Sequence, residues 1–303
     1  MPRSLRMYFV AAVAVAGTMR PLPADAPKAA DVPAADKPVA INPQGTVLLD
    51  KAGKRLLLKG EVCLREGVLE MLACLKRTKE HESILAVDAQ AWVVHAGLLA
   101  LGAEPGTPVQ YQPEFRSPSG QPIDIYLSWT DEQQKPQRVK AQTWVRNATR
   151  RYWIEKLDPP PPNFKLPDDS NLRWDEKRKE LLWYGPMSDQ QRDELLKLSD
   201  HAGFQKAIKS FHKQTQIKEL DAGWVFAGSG FYTDSKTGEK FYQAEEGNLI
   251  CVANFASATL DLAVPSTAAN DELLYEAYTE RIPPVGTPVT IELVPVFKNP
   301  EKK

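Results

Sequence analysis

The chain has 303 residues, of which 43 % are hydrophobic and 25 % charged, and 38 Lys plus Arg against 39 Asp plus Glu leave a net charge of -1. That balance lacks the basic excess of a nucleic-acid binder and the polybasic stretch that would hold it on an anionic membrane. A chain of this size buries a core without covalent staples.

The N-terminus reads as an export signal. Arg3 and Arg6 precede an apolar run over 7–17, in the range of a secretory h-region and too short to span a bilayer. Small-residue cleavage options follow at Ala14-Val15-Ala16 and Ala24-Asp25-Ala26, and the second is favoured because it ends the transition region. Residues 1–26 are thus expected to be a signal peptide, with a periplasmic or extracellular destination and no membrane span in the mature protein. The Ala-, Pro-, Asp- and Lys-rich stretch 27–43 has no sustained apolar period and is expected to be a flexible leader.

From Thr46 the pattern changes. Val47-Leu48-Leu49 and Leu56-Leu57-Leu58 flank a turn-rich gap and predict a β-hairpin. Strands over 60–64 and 68–74 are expected to pair across Arg65-Glu66-Gly67, with Gly67 supplying a positive φ. Residues 76–82 predict a loop and 83–87 a strand. Asp88 is the expected cap of a helix to Leu101, stopped by Gly102, with Trp92, Ala96 and Leu99 on its packing face. Alternation of Val109, Tyr111 and Phe115 with polar residues, and of Ile123, Ile125, Leu127 and Trp129, predicts two strands with one wet face each. A further strand is expected over 139–145.

The run Pro159-Pro160-Pro161-Pro162 opens a segment over 158–217, expected to be a Pro-rich linker and helical insert. Ser188 and Gln191 form a capping box for a helix to about Leu198, and a second helix is expected over 201–213. A hairpin over 224–243, a central strand over 249–264, a helix from Asn270 through Thr279 and a closing strand over 289–296 follow. Gly106-Thr107-Pro108-Val109 recurs as Gly286-Thr287-Pro288-Val289. The expected fold class is α+β, strand-rich, with two hairpin-strand-helix-strand units over 44–157 and 218–298 around the helical insert, which a duplication would explain.

The sharpest chemical feature is Thr78-Lys79-Glu80-His81-Glu82-Ser83, a base, a hydroxyl and carboxylates packed between two strands. It makes Lys79, His81, Glu82 and Ser83 candidate ligand-binding residues, with His81 as ligand or general base and Glu82 as its partner; a merely solvated loop is the bland alternative. Cys74, His81 and Glu82 are a weak candidate metal set, since no Cys-x-x-Cys or His-x-x-x-His spacing supports zinc. His95, in an apolar helix, is expected to be a packed core histidine. No cofactor is predicted, with a bound metal ion as the alternative. A Cys63–Cys74 disulfide suits an oxidising compartment. On a two-residue turn at Glu66-Gly67, however, the two are offset by about 13 Å along the strand, beyond the about 7 Å a bridge tolerates. A meeting of Cys63 or Cys74 with Cys251 is left open.

Over Leu69-Glu70-Met71-Leu72-Ala73-Cys74 and on through Thr78-Lys79-Glu80-His81-Glu82-Ser83-Ile84-Leu85, the sequence resembles the YdjY-domain family of exported bacterial proteins. Trp224-Val225-Phe226-Ala227-Gly228-Ser229 and the stretch 247–265 look similar to that family too, so the likeness spans most of 46–296 apart from the helical insert. The resemblance implies an exported domain and supplies no reaction. An iron–sulfur suggestion attaches to some relatives, from which this chain departs, because a cubane cluster commonly takes four Cys thiolates and only three Cys are present. Together these readings predict an exported module that binds an unknown ligand or envelope protein without turnover. The alternatives are an exported metal- or thiol-dependent enzyme using the Cys74, His81 and Glu82 region, and a structural envelope protein that makes its contacts through the insert.

Overall fold

The computed structural model describes residues 37–148, 151–161, 166, 170–264 and 275–297. The expected signal peptide, most of the leader and the expected helix cap Asn270 lie outside them. Val39–Ala40 pairs with Leu48 and Leu49, so paired chain begins inside the stretch read as leader.

Eight strands close into a β-barrel. Around the ring they run Arg55–Val62, Pro288–Pro295, Pro122–Thr130, Trp224–Phe226, Leu260–Leu262, Ile250–Cys251, Met71–Leu75 and Ser83–Val87. The last pairs back onto the first through Gly60↔Val87 and Val62↔Leu85. Two neighbouring pairs are parallel, Met71–Leu75 with Ser83–Val87 and Ile250–Cys251 with Leu260–Leu262; the other barrel pairings are antiparallel. Leu56, Leu58, Ile123, Ile125, Leu127, Phe226, Ile291 and Leu293 belong to one buried cluster, so the closed sheet encloses packed side chains, as small barrels do.

This overturns the α+β expectation. Among the described residues there are three α-helices, α1 (Ala91–Ala100), α2 (Asp189–Leu196) and α3 (Ala202–Thr215), and the fold is mostly β. The second half of the supposed duplication fails on its helix: Tyr275–Ala277 is a strand, paired with Val145–Asn147. The first copy of the repeated Gly-Thr-Pro-Val leads only into isolated bridges, and only the second opens a long strand. The shared residues reflect two turns of like chemistry. The expected central strand over 249–264 is two short parallel strands with a loop between them.

The hairpin read at Val47 forms as expected, Leu48 opposite Leu57. The pairing expected across Gly67 does not, because Ser83–Val87 inserts between Arg55–Val62 and Met71–Leu75. Gly67 still takes φ +110°. Helix α1 also turns the other way: Trp92 and Leu99 are about half exposed, while Val93, Val94, Gly97 and Leu98 are buried. The helix is apolar on all sides, so periodicity could not choose its face. Gly97 chooses it, for a Cβ there would lie 2.6 Å from Leu56 Cδ1.

A second, smaller core lies between the barrel strands in sequence. The three-stranded sheet Leu172–Asp175, Glu180–Tyr184, Tyr152–Lys156 packs Trp153, Leu172, Leu181 and Trp183 against Leu195 of α2 and Phe204, Ile208 and Phe211 of α3. The Ser188–Gln191 capping box starts α2 as read from the sequence. The core also takes in Tyr152–Lys156, so it begins ahead of the proline run.

Candidate functional site

Parallel neighbours ordinarily need a crossover of a dozen or more residues. Here Met71↔Ser83 and Leu75↔Val87 are adjacent, and only residues 76–82 carry the chain back along the strand. Residues 252–259 make the same kind of short return between Ile250–Cys251 and Leu260–Leu262. The two returns meet at one place, where Lys79 Nζ lies 4.7 Å from the centre of the Phe255 ring. Gly247, at φ +116°, packs so closely on the first return that a Cβ would come within 2.5 Å of Thr78 Oγ1.

The first return is held internally. Thr78 Oγ1 donates to the Leu75 carbonyl, and the Arg77 amide donates to a Glu80 carboxylate oxygen. Lys79 Nζ sits 3.0 Å from Glu70 Oε2 and 3.1 Å from Glu82 Oε1, all three side chains about four-fifths buried. Burial works to lower the Lys79 pKa, but the hydrogen bonds to Glu70 and Glu82 outweigh it and raise it. Burial, with Glu82 alongside, raises that of Glu70. Replacing Lys79 with Met should therefore leave two carboxylates facing each other. We expect a loss of about 2 kcal/mol at pH 8 by urea denaturation, smaller at pH 5, where Glu70 is free to take up a proton and share it. An equal loss at both pH values would show that the triad is not coupled.

The residues singled out in the sequence fall in different environments. His81 is 76 % exposed, 3.8 Å from Glu82 Oε2. Ser83 is fully buried, its hydroxyl donating to the Leu85 carbonyl at 2.9 Å. Base and hydroxyl thus point apart, and no nucleophile–base pair forms between them. Cys74 is fully buried, and among the described residues no group of three or more His, Cys, Asp or Glu is placed to hold a metal ion. An iron–sulfur cluster does not fit this donor set, with three Cys in the chain and one of them, Cys251, sealed in the core. His95 is the packed histidine expected, Nδ1 2.9 Å from the Tyr242 hydroxyl and edge-on to Phe226, with its pKa lowered by burial. A surface depression of about 580 Å³ lies elsewhere, lined by Lys59, Trp129, Arg138 and Pro288 among others, and includes none of the return's residues.

The meeting of Cys63 or Cys74 with Cys251 that the sequence left open takes the form of a sulfur cluster beneath the return. All three cysteines are free thiols. Cys63, Cys74, Cys251 and Met71 share one cluster with Ala86, Phe255 and Ala258. Cys63 N donates to the Ile84 carbonyl, on one side of the Ser83–Val87 strand, while Cys74 pairs with Ala86 on the other. The small Ala86 side chain lets the two thiols meet over that strand. Cys63 Sγ donates to the Ser83 carbonyl at 3.1 Å, and the neighbouring Cys63 thiol brings the Cys74 pKa down to about 7, against burial and with help from Ser83 and the Lys79 amide; Cys74 and burial together raise the Cys63 thiol's own pKa. Cys251 Sγ lies 3.4 Å from Met71 Sδ. The disulfide geometry drawn from the sequence presupposed a hairpin that the inserted strand replaces.

The second return is pinned by Asp261, fully buried. Its carboxylate accepts from Asn254 Nδ2, from Phe255 N and from Leu262 N at 2.8 to 3.1 Å, and burial outweighs these bonds to push its pKa up to about 7. Nothing in the sequence separates Asp261 from a surface aspartate except its place in an apolar run.

Fold and site together define a closed eight-stranded β-barrel with two short parallel crossovers meeting over a thiol pair. Residues 47–158 match the family model of the YdjY domain, so that segment of the chain carries a YdjY domain. The match is shorter than the likeness read from the sequence: it holds the Lys79–Ser83 connector, Cys63 and Cys74, but four barrel strands lie beyond it. No curated protein and no solved structure matches the chain. No helix among the described residues is long and apolar enough to cross a membrane.

Proposed function

We propose that this is an exported bacterial protein that binds a small ligand without transforming it, at the rim where the 76–82 return covers the Cys63–Cys74 pair. The observation that carries this reading is how the rim's groups are used. Lys79 is neutralised by Glu70 and Glu82, and the Ser83 hydroxyl is spent on a backbone carbonyl. His81 faces solvent, where it can contact a ligand but has no nucleophile to activate. Acid–base catalysis needs such groups within hydrogen-bond reach of one another or of the reacting atom.

Native mass spectrometry of the purified protein after exposure to the low-molecular-mass fraction of a bacterial envelope extract tests this. The expected result is one component retained in stoichiometric amount, released unaltered on denaturation and lost in His81→Ala, whose exposed ring can go without unfolding the chain. A component released chemically changed, or retained equally by His81→Ala, would overturn the reading.

Export rests on the N-terminal pattern. N-terminal sequencing of the protein recovered from an expressing bacterium should find Pro27 as the first residue. A cytosolic protein still beginning near Met1 would refute export.

A further inference from the structure

We propose that Cys63 and Cys74 bind a soft monovalent d¹⁰ cation, Cu(I), as a two-coordinate dithiolate, a site beneath the 76–82 return that goes beyond the His81-dependent binding reading above and stands independently of it. Three observations carry it. First, the two sulfurs are brought together by the fold while both remain thiols. Second, they flank a strand and do not sit on adjacent ones. Cys63 lies opposite Ile84 and Cys74 opposite Ala86 on that strand, so the two thiols reach toward each other over it from its two edges. Third, the surroundings are sulfur and hydrocarbon. Met71 and Cys251 lie in the same cluster with Ala86 and Ala258, and Phe255 closes one side. Thiolate and thioether donors in an apolar shell select Cu(I) over harder ions, and with no group of three or more His, Cys, Asp or Glu placed to hold a metal ion among the described residues, tetrahedral zinc is not served. Cys63, half-buried while Cys74 is sealed, is the point of entry. On binding, two S–Cu bonds form, both thiol protons pass to solvent, and no electron is transferred.

The test is anaerobic titration of the reduced full-length protein with Cu(I) in competition with bathocuproine disulfonate, followed by X-ray absorption of the retained metal. One Cu(I) per chain with two sulfur neighbours is expected, lost in Cys63→Ser and Cys74→Ser and kept in Cys251→Ala and His81→Ala. Near-UV circular dichroism checks that each variant is folded; Cys63, being half-buried, provides the variant least prone to misfold. The proposal falls if the folded, reduced protein retains no Cu(I), if Cys63→Ser binds as the wild type does, or if mild oxidation removes two hydrogens by closing a Cys63–Cys74 disulfide. Failure here, with an organic component still retained in a His81-dependent way, would remove the metal and leave the binding reading intact.

Discussion

A fragment of residues 37–158, which holds the whole of the family match, is expected not to fold. In the barrel Pro288–Pro295 sits between the strands Arg55–Val62 and Pro122–Thr130 and pairs with both, six residues on each side, and the other way round the ring needs Trp224–Phe226, Leu260–Leu262 and Ile250–Cys251, all part of the half of the barrel that the fragment lacks. Without it the fragment has two unconnected pieces: the set around Arg55–Val62 and the hairpin of Pro122–Thr130 with Pro136–Lys140. The apolar faces of Leu56, Leu58, Ile125 and Leu127, each no more than 1 % exposed in the chain, would lose the layer that covers them. Isolated hairpins are marginal in water, and an open edge invites association. Circular dichroism and hydrogen exchange should show no cooperative transition and no protected amides in the fragment, and full protection in the chain through residue 297. A cooperative unfolding transition in the fragment would mean that the family segment closes on itself in a way this barrel does not.

Asp261 should make stability fall with rising pH in a manner that Asp261→Asn removes. Its pKa in the folded protein, about 7, lies above the usual 3.8 because burial disfavours the charge. The folded chain therefore holds a proton that the unfolded chain releases. The stability that comes with this proton is fully present below pH 3.8 and is lost progressively as pH rises toward 7. Between pH 5 and pH 7 that amounts to about 2 kcal/mol, from 1.36 kcal/mol per pKa unit. The quantity to measure is the difference between wild type and Asp261→Asn, by urea denaturation at both pH values. It should shift by about 2 kcal/mol in favour of the variant, since the neutral amide stands in for the protonated acid at all pH values. Groups such as His95, whose pKa is lowered by burial, affect both proteins alike and cancel. A difference that stays constant from pH 5 to pH 7 would show that Asp261 is ionised throughout, its three donors outweighing burial.

Sequence reasoning reached the connector but not the way its side chains are shared between core and solvent. Lys79 and Glu82 could be seen in the sequence as a charged loop, yet their third partner, Glu70, lies on the far side of a strand and pairs only because the return doubles back over it. His81 and Ser83, two apart, invite the idea of a shared direction. The one-turn 3-10 helix Glu80–Glu82 ends between them and sends one to solvent and the other into the core.

Local chemistry was determined by the sequence alone. The Ser188 and Gln191 side chains cap α2 through bonds within four residues. The hairpin at Val47 needs only its turn, and Gly67 and Gly102 take the positive φ that only glycine adopts without strain. The order of strands around the barrel was decided only by the tertiary structure, because short apolar runs carry no record of their neighbours. Ser83–Val87 could have lain beside several others, and pairing over two hundred residues joins Arg55–Val62 to Pro288–Pro295. That single choice of neighbours turned the face of α1, replaced an expected hairpin, and set two cysteines eleven positions apart in sequence against each other across an intervening strand.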